Sequence, residues 1–364
     1  MRVDFIDLQR HFIEYEDEYI EAARRVLKSG KYILGDEGEL FEEEFALLTK
    51  GQSCVGVNSG LDAIKLGLIA LGIESGDEVI LPANTYIATA LAISLNGAKP
   101  IFVDVDEFYN IDINKIPAAI SKRTKCIIAV HLYGQAANMG VVCNIAREYN
   151  LKILEDCAQA HGTKYLGKPV GTIGDIGCFS FFPTKNLGAF GDAGAIVTSS
   201  RDVEKKVRAL RNYGSITKYE NLYQGYNSRL DEIQAAFLRV KMKNLKKFIE
   251  ERQSIADYYN RNIENANIIL PEVAQYTNHS YHLYVIRTQE REKLKDYLSN
   301  RDINTQVHYP IPPHLSACYK DLGYKRGDFP ITEEYSNSIL SLPLYHGMSE
   351  EEMGCVVEAI NQYK

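Results

Sequence analysis

The 364-residue sequence lacks several features that would assign it to particular classes of protein. No uninterrupted apolar run approaches the length of about 18 residues that a membrane-spanning helix needs, and no Pro- or Gly-rich tract is long enough to suggest disorder. The seven cysteines form no CxxC pair, so we expect reduced thiols and neither disulfides nor zinc ligands. Positive charge is not in excess: the net charge of −7 disfavours binding of nucleic acid or of an anionic membrane surface.

The first residues, Met1 to Asp7, include acidic side chains where a secretory signal has basic residues followed by an apolar stretch. We therefore expect a cytoplasmic protein. The composition is otherwise ordinary, with 45% hydrophobic and 24% charged residues. Since a chain of this length is too long for one small core, the sequence predicts two domains, or one large domain with an appendage.

Short apolar runs alternate with helical patterns between about residues 54 and 156. That rhythm predicts an α/β domain with a mostly parallel sheet and helices on both faces. Over residues 228–264, apolar residues recur with helical period and predict one long helix. We expect a large domain over residues 1–240 and a smaller α+β domain over residues 241–364, joined by this helix.

The stretch Asn58-Ser59-Gly60 follows one predicted strand and opens a helix. A helix N-terminus presents unpaired N–H groups and a partial positive charge, so Ser59 and Gly60 are candidates for holding a phosphate dianion. The alternative interpretation is a plain helix cap at a strand-to-helix turn.

Asp156 ends a later apolar strand and is followed by Gln159 and His161. In open α/β sheets, ligands bind outside the carboxyl ends of the strands, so these side chains stand where a site is expected. A carboxylate in that place would keep a pyridinium nitrogen protonated. The alternative is that Asp156 caps the next element.

Lys185 follows the apolar stretch Cys178 to Phe182 and precedes several glycines and small residues. Desolvation in such surroundings disfavours the charged amine and lowers its pKa, which makes the free amine available as a Schiff-base nucleophile. The glycines let the backbone pass close to a bound ring. The alternative is a solvated surface lysine, although surface lysines seldom follow so apolar a stretch.

Two further segments present polar side chains near predicted loops. Asn227 and Arg229 are candidates for facing an anionic group, although helix capping alone would explain Asn227. His308 and His314 stand in a proline-stiffened loop, where substrate contact is a better interpretation than metal binding because no third ligand is fixed nearby.

Residues 162–169 nearly match a phosphate-binding loop, but proline replaces the hydroxyl that binds Mg²⁺, and we predict a hairpin.

Taken together, these segments resemble the DegT/DnrJ/EryC1/StrS family of sugar aminotransferases over nearly the whole chain. The matching stretches are residues 27–30, 34–35, 41–42, 58–60, 82–86, 130–134, 155–162, 180–188 and 225–229. The resemblance implies the aspartate aminotransferase (type I) fold of pyridoxal-phosphate-dependent transferases. It also implies a homodimer whose active sites lie at the subunit interface.

The resemblance assigns roles in holding pyridoxal 5′-phosphate to individual residues. Lys185 would bind the cofactor covalently and later move the proton, and Asp156 would pair with the pyridine nitrogen. The other cofactor-binding positions that the resemblance implies are Gln159 at the ring hydroxyl, Ser59, Gly60 and Ser180 at the phosphate, Tyr86 stacked on the ring, and Asn227 from the neighbouring subunit.

Residues 185–194, together with His308 and Tyr309, look closest to the family members that act at C3 of dTDP-3-keto-6-deoxyhexoses. This resemblance implies transamination of a nucleotide-linked keto-deoxysugar with L-glutamate as the amino donor. His308 and Tyr309 would line the sugar pocket, and Arg229 or Lys218 would meet the diphosphate.

Three alternatives stay open. One is an aminotransferase acting on a 4-keto nucleotide sugar, because Phe182 stands where close relatives often have tyrosine and so removes a hydroxyl from the sugar pocket. Another is a sugar dehydratase of the same family, in which histidine replaces the lysine; Lys185 speaks against it. The last is a non-catalytic pyridoxal-phosphate-binding regulator with the same fold.

Overall fold

A computed structural model describes residues 1–364 of the protein. The strands in chain order are β1 Ser53–Val57, β2 Glu78–Pro82, β3 Lys99–Val103, β4 Thr124–Val130, β5 Lys152–Asp156, β6 Lys164–Tyr165, β7 Lys168–Pro169, β8 Ile176–Ser180, β9 Gly194–Thr198, β10 Ser215–Thr217, β11 Glu220–Asn221, β12 Thr277–Asn278, β13 Tyr284–Arg287 and β14 Ile339–Leu342. The α-helices are α1 Leu8–Glu14, α2 Glu16–Ser29, α3 Asp36–Thr49, α4 Gly60–Ala70, α5 Ile87–Ser94, α6 Ile116–Ala119, α7 Met139–Tyr149, α8 Arg201–Leu210, α9 Glu232–Met242, α10 Leu245–Asn262, α11 Arg291–Ser299, α12 Pro330–Ser338 and α13 Glu350–Gln362.

Seven strands form the main sheet, in the order β1-β9-β8-β5-β4-β2-β3. Strands β3, β2, β4, β5 and β8 are parallel to one another, whereas β9 is antiparallel to both β1 and β8. Side chains alternate between two cores along a strand: Val79 and Leu81 pack on one face, and Ile80 packs on the other. The predicted α/β class with a mostly parallel sheet is confirmed.

The C-terminal region is α+β, as the sequence predicts. β13 and β14 pair in an antiparallel sheet, and α10, α11 and α13 pack with it into a separate core. Val3 belongs to this core, and its backbone hydrogen bonds join it to Asp302 and Asn304. The N-terminal residues therefore return to the C-terminal region. The division between residues 240 and 241 stays a prediction.

The single long helix predicted over residues 228–264 is wrong in two respects. It is two helices, α9 and α10, because the backbone of Asn244 leaves the helical conformation between them. It also begins later, at Glu232, because the backbone of Asp231 is still extended. In the preceding segment, the Ser228 hydroxyl accepts from the Asn58 N–H and donates to Asp62, which ties the segment to the start of α4.

The hairpin predicted over residues 162–169 is confirmed, since β6 and β7 pair antiparallel. Residues 305–308 form no strand, and only a single bridge joins Gln306 to Ser341. None of the helices has the length and apolar character that crossing a bilayer requires.

Candidate active site

The candidate residues converge at one edge of the main sheet. Asp156 is the last residue of β5 and Ser180 is the last residue of β8. Because β9 runs antiparallel between β1 and β8, its first residue, Gly194, pairs with both Val57 and Ser180. Ser59 follows β1 by two residues and therefore lies at the same edge.

The candidate phosphate site is a close-packed group of small residues at the start of α4. The Ser59 side chain caps the helix by accepting from the Asp62 N–H at 3.1 Å, which leaves its hydroxyl hydrogen free to donate. A Cβ on Gly60 would lie 2.6 Å from the Ser180 Cβ, and one on Gly194 would lie 2.4 Å from the Ser59 backbone. Glycine at both positions therefore allows the approach of Ser59 and Ser180, and the resulting donors suit a phosphate.

The Asp156 carboxylate is 5% exposed and firmly oriented. Thr89 Oγ1 donates to Oδ2 at 2.8 Å and the Ala158 N–H donates to Oδ1 at 3.1 Å. Burial raises the pKa of Asp156, whereas these two hydrogen bonds and the charge of Lys185 act to lower it. A buried carboxylate in these surroundings suits a cationic partner such as a protonated ring nitrogen.

Lys185 lies in a turn that is fixed by hydrogen bonds. Its backbone N–H donates to the Phe182 carbonyl at 2.8 Å, and the side chain of the next residue, Asn186, donates from Nδ2 to the Ser280 carbonyl at 3.0 Å. Burial lowers the pKa of Lys185 to about 8, while the charge of Asp156 acts in the opposite direction. An amine with that pKa has a substantial free-base population near neutral pH, as a Schiff-base nucleophile requires.

A hydrogen-bond network joins Gln159 to the C-terminal region. Its Oε1 accepts from the Tyr133 N–H at 2.7 Å, and its Nε2 donates to Tyr309 Oη at 2.8 Å. Tyr133 Oη donates to the His308 carbonyl, and His308 Nδ1 is bonded to Ser341 Oγ at 2.8 Å. Of the two predicted sugar-pocket residues, Tyr309 is thus bonded directly to Gln159, a predicted cofactor residue, and His308 is linked to Gln159 through Tyr133.

Two exposed aromatic rings complete this part of the site. Tyr86 immediately precedes α5, is 55% exposed, and has its ring centroid 5.2 Å from that of Tyr309. Phe182, three residues before Lys185, is 50% exposed. An accessible ring at residue 86 is consistent with the predicted stacking on a cofactor, which stays a prediction.

Three predicted residues make their contacts elsewhere in this chain. Asn227 is exposed, and its backbone forms a bridge with Asn212. Arg229 donates to Asn212 Oδ1 at 2.9 Å and lies over the Tyr213 ring. Lys218 lies in the β10–β11 segment, and its amine lies over the Tyr219 ring. A role for Asn227 in the site of a neighbouring subunit stays a prediction.

Two residues of the site, Thr89 and His282, were not predicted from the sequence. Thr89 and Thr85 share a hydrogen bond of 2.8 Å on one face of the α5 segment, and a polar pair four residues apart in an apolar stretch is the signal that was available. His282 is buried close enough to Lys185 for the lysine charge to lower its pKa further. It stands in an alternating strand-like segment that gives no sign of the site.

His131, Glu155 and Cys157 form the one cluster with the spacing of a metal site. The Glu155 carboxylate, however, accepts from three backbone N–H groups within residues 171–174 and is also bonded to His131 at 3.0 Å. The other His131 nitrogen accepts from the Ala137 N–H at 3.1 Å. These bonds give both side chains a role in fixing loops.

The residues at the sheet edge fit pyridoxal phosphate. A glycine-lined pair of hydroxyls suits the phosphate, a buried carboxylate suits the ring nitrogen, and a lysine with lowered pKa suits the aldehyde. Fold and site together define a pyridoxal-phosphate-dependent transferase with the aspartate aminotransferase (type I) fold. More particularly, the chain belongs to the DegT/DnrJ/EryC1/StrS aminotransferase family, which residues 14–361 match.

Curated relatives include transaminases of nucleotide-linked amino sugars. The chain is 49% identical over 99% of its length to the dTDP-3-amino-3,6-dideoxy-alpha-D-galactopyranose transaminase of Aneurinibacillus thermoaerophilus, and covers 99% of that protein. It is 40% identical over 99% of its length to a UDP-N-acetyl-3-dehydro-alpha-D-glucosamine 3-aminotransferase of Acidithiobacillus ferrooxidans, covering 97% of that protein.

Two solved structures superpose on nearly the whole of this chain. Streptomyces venezuelae DesV, in complex with a ketimine intermediate, superposes with a TM-score of 0.97 at 42% identity, over 99% of this chain and 98% of that one. Bacillus subtilis NtdA with bound PMP gives a TM-score of 0.92 at 33% identity, over 99% and 84% of the two chains. The protein is a pyridoxal-phosphate-dependent sugar-nucleotide aminotransferase.

Proposed function

We propose that the protein transfers the amino group of L-glutamate to C3 of a dTDP-3-keto-6-deoxyhexose. The observation that carries the reaction type is the placement of Lys185 and Asp156 at one sheet edge beside a phosphate cradle. Support for the sugar comes from the 49% identity to a transaminase of a dTDP-linked 3-amino-3,6-dideoxy sugar.

Bound pyridoxal phosphate supplies an aldehyde that carries the amino group and a ring that withdraws electrons from the reacting carbon. Asp156 provides the negative charge that keeps the ring nitrogen protonated, and Thr89 and Ala158 hold that carboxylate in orientation. Ser59, Gly60 and Ser180 are the proposed phosphate donors, joined by Asn227 of a neighbouring copy. Gln159 and Tyr86 are proposed to contact the ring.

Lys185 is the proposed covalent anchor and the group that moves the proton. With its pKa lowered to about 8, the Nζ amine exists in both protonation states near neutral pH. It is therefore matched to accept a proton from the substrate carbon that bears the amino group and to return it to the carbon that was the aldehyde of the cofactor. The same exchange runs in one direction with glutamate and in the other with the keto-sugar.

The sugar pocket is proposed to lie at His308 and Tyr309, which Tyr133 and Gln159 hold beside the cofactor residues. Arg229 and Lys218 are proposed to meet the diphosphate, because two such cations complement its charge. A UDP-linked keto-sugar is the second candidate substrate, supported by the 40% identity to a UDP-sugar aminotransferase.

A homodimer with its active sites at the interface is part of the proposal. Its support is a group of exposed large apolar side chains close to Asn227 and Lys218 in sequence. They are Tyr213, Ile216, Tyr219, Leu222 and Tyr223. Light scattering on the purified protein should give twice the mass of one chain, and a monomer at assay concentration would contradict this part.

The first experiment is borohydride reduction of the cofactor-loaded protein followed by peptide mapping. We expect the label on Lys185, and a label on any other lysine would overturn the assignment of the site.

The second experiment offers ¹⁵N-glutamate with dTDP- and UDP-linked 3-keto and 4-keto sugars, and locates the transferred nitrogen by NMR. We expect ¹⁵N at C3 of the dTDP-sugar; transfer only to a 4-keto sugar would replace the proposed substrate.

A further inference from the structure

Two helices of this chain begin with a serine followed three residues later by an acid, and they are capped differently. At α13 the capping box is complete: the Ser349 hydroxyl accepts from the Glu352 N–H at 3.2 Å, and the Glu352 carboxylate accepts from the Ser349 N–H at 2.8 Å. At α4 the Ser59 hydroxyl accepts from the Asp62 N–H at 3.1 Å, which is the first half of the same motif. The second half is missing, because the Asp62 carboxylate does not accept from the Ser59 N–H.

The Asp62 carboxylate is bonded to Ser228 instead. Ser228 Oγ donates to Asp62 Oδ2 at 2.7 Å and accepts from the Asn58 N–H at 3.2 Å. The Ser59 N–H, which a closed capping box would use, forms no hydrogen bond within the chain. Ser228 thus engages the acid that would otherwise satisfy this donor.

The position of Ser228 does not depend on Asp62. Ser228 is 1% exposed, and its backbone N–H donates to the Arg211 carbonyl at 2.9 Å. The Arg211 side chain donates in turn to the Gly56 carbonyl of β1 at 2.7 Å. The main sheet therefore fixes the Ser228 hydroxyl, and the Asp62 carboxylate is oriented by it.

The open capping box is important because α4 begins at the proposed phosphate site. A closed box would occupy the Ser59 N–H and bring a carboxylate to the helix N-terminus, where the partial positive charge attracts a phosphate dianion. Two anions at one helix end also repel each other. With Asp62 bonded to Ser228, the Ser59 N–H stays free to donate to a ligand.

We propose that Ser228 is a positioning residue for the cofactor phosphate. By holding Asp62, it prevents the capping box of α4 from closing and keeps the Ser59 N–H available to a phosphate oxygen. Ser228 acts through Asp62 and not by touching the phosphate. The inference rests on the proposed function, in which Ser59 and Gly60 bind the phosphate.

The test measures, on the cofactor-free protein, the dissociation constants of pyridoxal phosphate and of pyridoxal, which lacks the phosphate. Ser228→Ala should weaken binding of pyridoxal phosphate about tenfold, because the released Asp62 closes the box, and should leave binding of pyridoxal nearly unchanged. Asp62→Ala cannot close the box and should bind pyridoxal phosphate at least as tightly as the parent. Ser200→Ala, which removes the exposed serine that caps α8, is the control and should match the parent with both ligands.

The double variant Ser228→Ala/Asp62→Ala separates this role from a merely structural one. It leaves the Asn58 N–H without its partner, as Ser228→Ala does, but it has no acid to close the box. We therefore expect it to recover the parent affinity for pyridoxal phosphate.

Four results would overturn the inference. They are an unchanged affinity in Ser228→Ala, an equal loss for pyridoxal phosphate and pyridoxal, weaker binding of pyridoxal phosphate by Asp62→Ala, and no recovery in the double variant. Failure of the proposed function has a different signature, which is seen in the parent protein. A parent that binds pyridoxal as tightly as pyridoxal phosphate, or whose Lys185 is not labelled by borohydride, contradicts the proposed function itself.

Discussion

The proposed cofactor residues and the proposed nucleotide-sugar residues lie in regions that are built differently. Asp156 and Ser180 are the final residues of buried parallel strands, and Ser59 caps a helix that follows a third strand. By contrast, Lys218 lies in an exposed two-stranded segment, and Tyr309 follows a stretch without regular structure. The sheet thus positions these proposed cofactor residues, whereas Tyr309 is positioned by its side-chain hydrogen bond with Gln159.

That difference has a functional consequence. Strand ends cannot move without disturbing the core, so they suit a cofactor that stays bound through both halves of the reaction. Side chains on exposed and irregular segments change more easily, which suits a region that selects among nucleotide sugars. We therefore expect substitutions at the strand ends to affect both half-reactions, and substitutions in the second region to affect only the half with the sugar.

Lys185→Ala should have the largest effect. Both half-reactions should slow by at least about a thousandfold, because the anchor and the proton carrier are removed together. Stopped-flow absorbance with glutamate and with the keto-sugar measures each half separately. Lys164→Ala, on the exposed hairpin, is the matched control and should be unchanged. Retention of the parent rate by Lys185→Ala would remove the basis of the proposed mechanism.

Asp156→Asn should have the second largest effect and slow both half-reactions about a hundredfold. The amide keeps the size of the carboxylate but lacks the charge that stabilises a protonated ring nitrogen. Asp175→Asn is a suitable control, because Asp175 accepts from the Ile153 N–H at the opposite end of β5. An effect on the sugar half-reaction alone would contradict the division between the two regions.

The sequence predicts the first region better than the second, for a physical reason. Alternation of apolar runs with helical patterns places Asp156 at the carboxyl end of a strand, and the apolar stretch before Lys185 signals its burial. The position of Thr89 relative to Asp156 depends on how α5 packs on the sheet, which a local pattern does not contain. The contact of Thr89 with Asp156 was therefore beyond prediction.

The second region depends on contacts between residues far apart in the chain. Tyr133 and His308 meet across 175 positions, and Gln159 and Tyr309 across 150. No periodicity encodes such pairs. The proline-stiffened loop indicated substrate contact by His308, and the family resemblance indicated both His308 and Tyr309 as sugar-pocket residues. The wrong helix start predicted at residue 228 has a related cause. The Ser228 hydroxyl forms hydrogen bonds with Asn58 and Asp62, which belong to a distant segment of the chain.

A pH measurement sharpens the description of the first region. Burial lowers the pKa of Lys185 to about 8, so its reactive free amine should form as the pH rises through that value. Acylation of Lys185 in the cofactor-free protein should therefore accelerate about tenfold between pH 7 and pH 9 and then level off. Peptide mapping by mass spectrometry follows the reaction. A rate still rising steeply above pH 9 would indicate an ordinary lysine.

Lys218→Ala tests the second region with a smaller expected effect. Removing an exposed cation that meets the diphosphate should raise the KM for the nucleotide sugar about fivefold, while kcat stays near the parent value. The glutamate half-reaction should not change. Lys122→Ala, which removes another exposed lysine, serves as the control. An unchanged KM would exclude residue 218 from the diphosphate site.

Phe182→Tyr should have the smallest effect. The Phe182 ring is exposed three residues before Lys185, so a hydroxyl added there fits without disturbing the core. One new hydrogen bond contributes about 1 kcal/mol, so kcat/KM for a given nucleotide sugar should change by less than about tenfold. The informative quantity is the ratio of kcat/KM between the 3-keto and 4-keto sugars. If that ratio is unchanged, residue 182 does not contact the sugar, and its identity carries no information about the substrate.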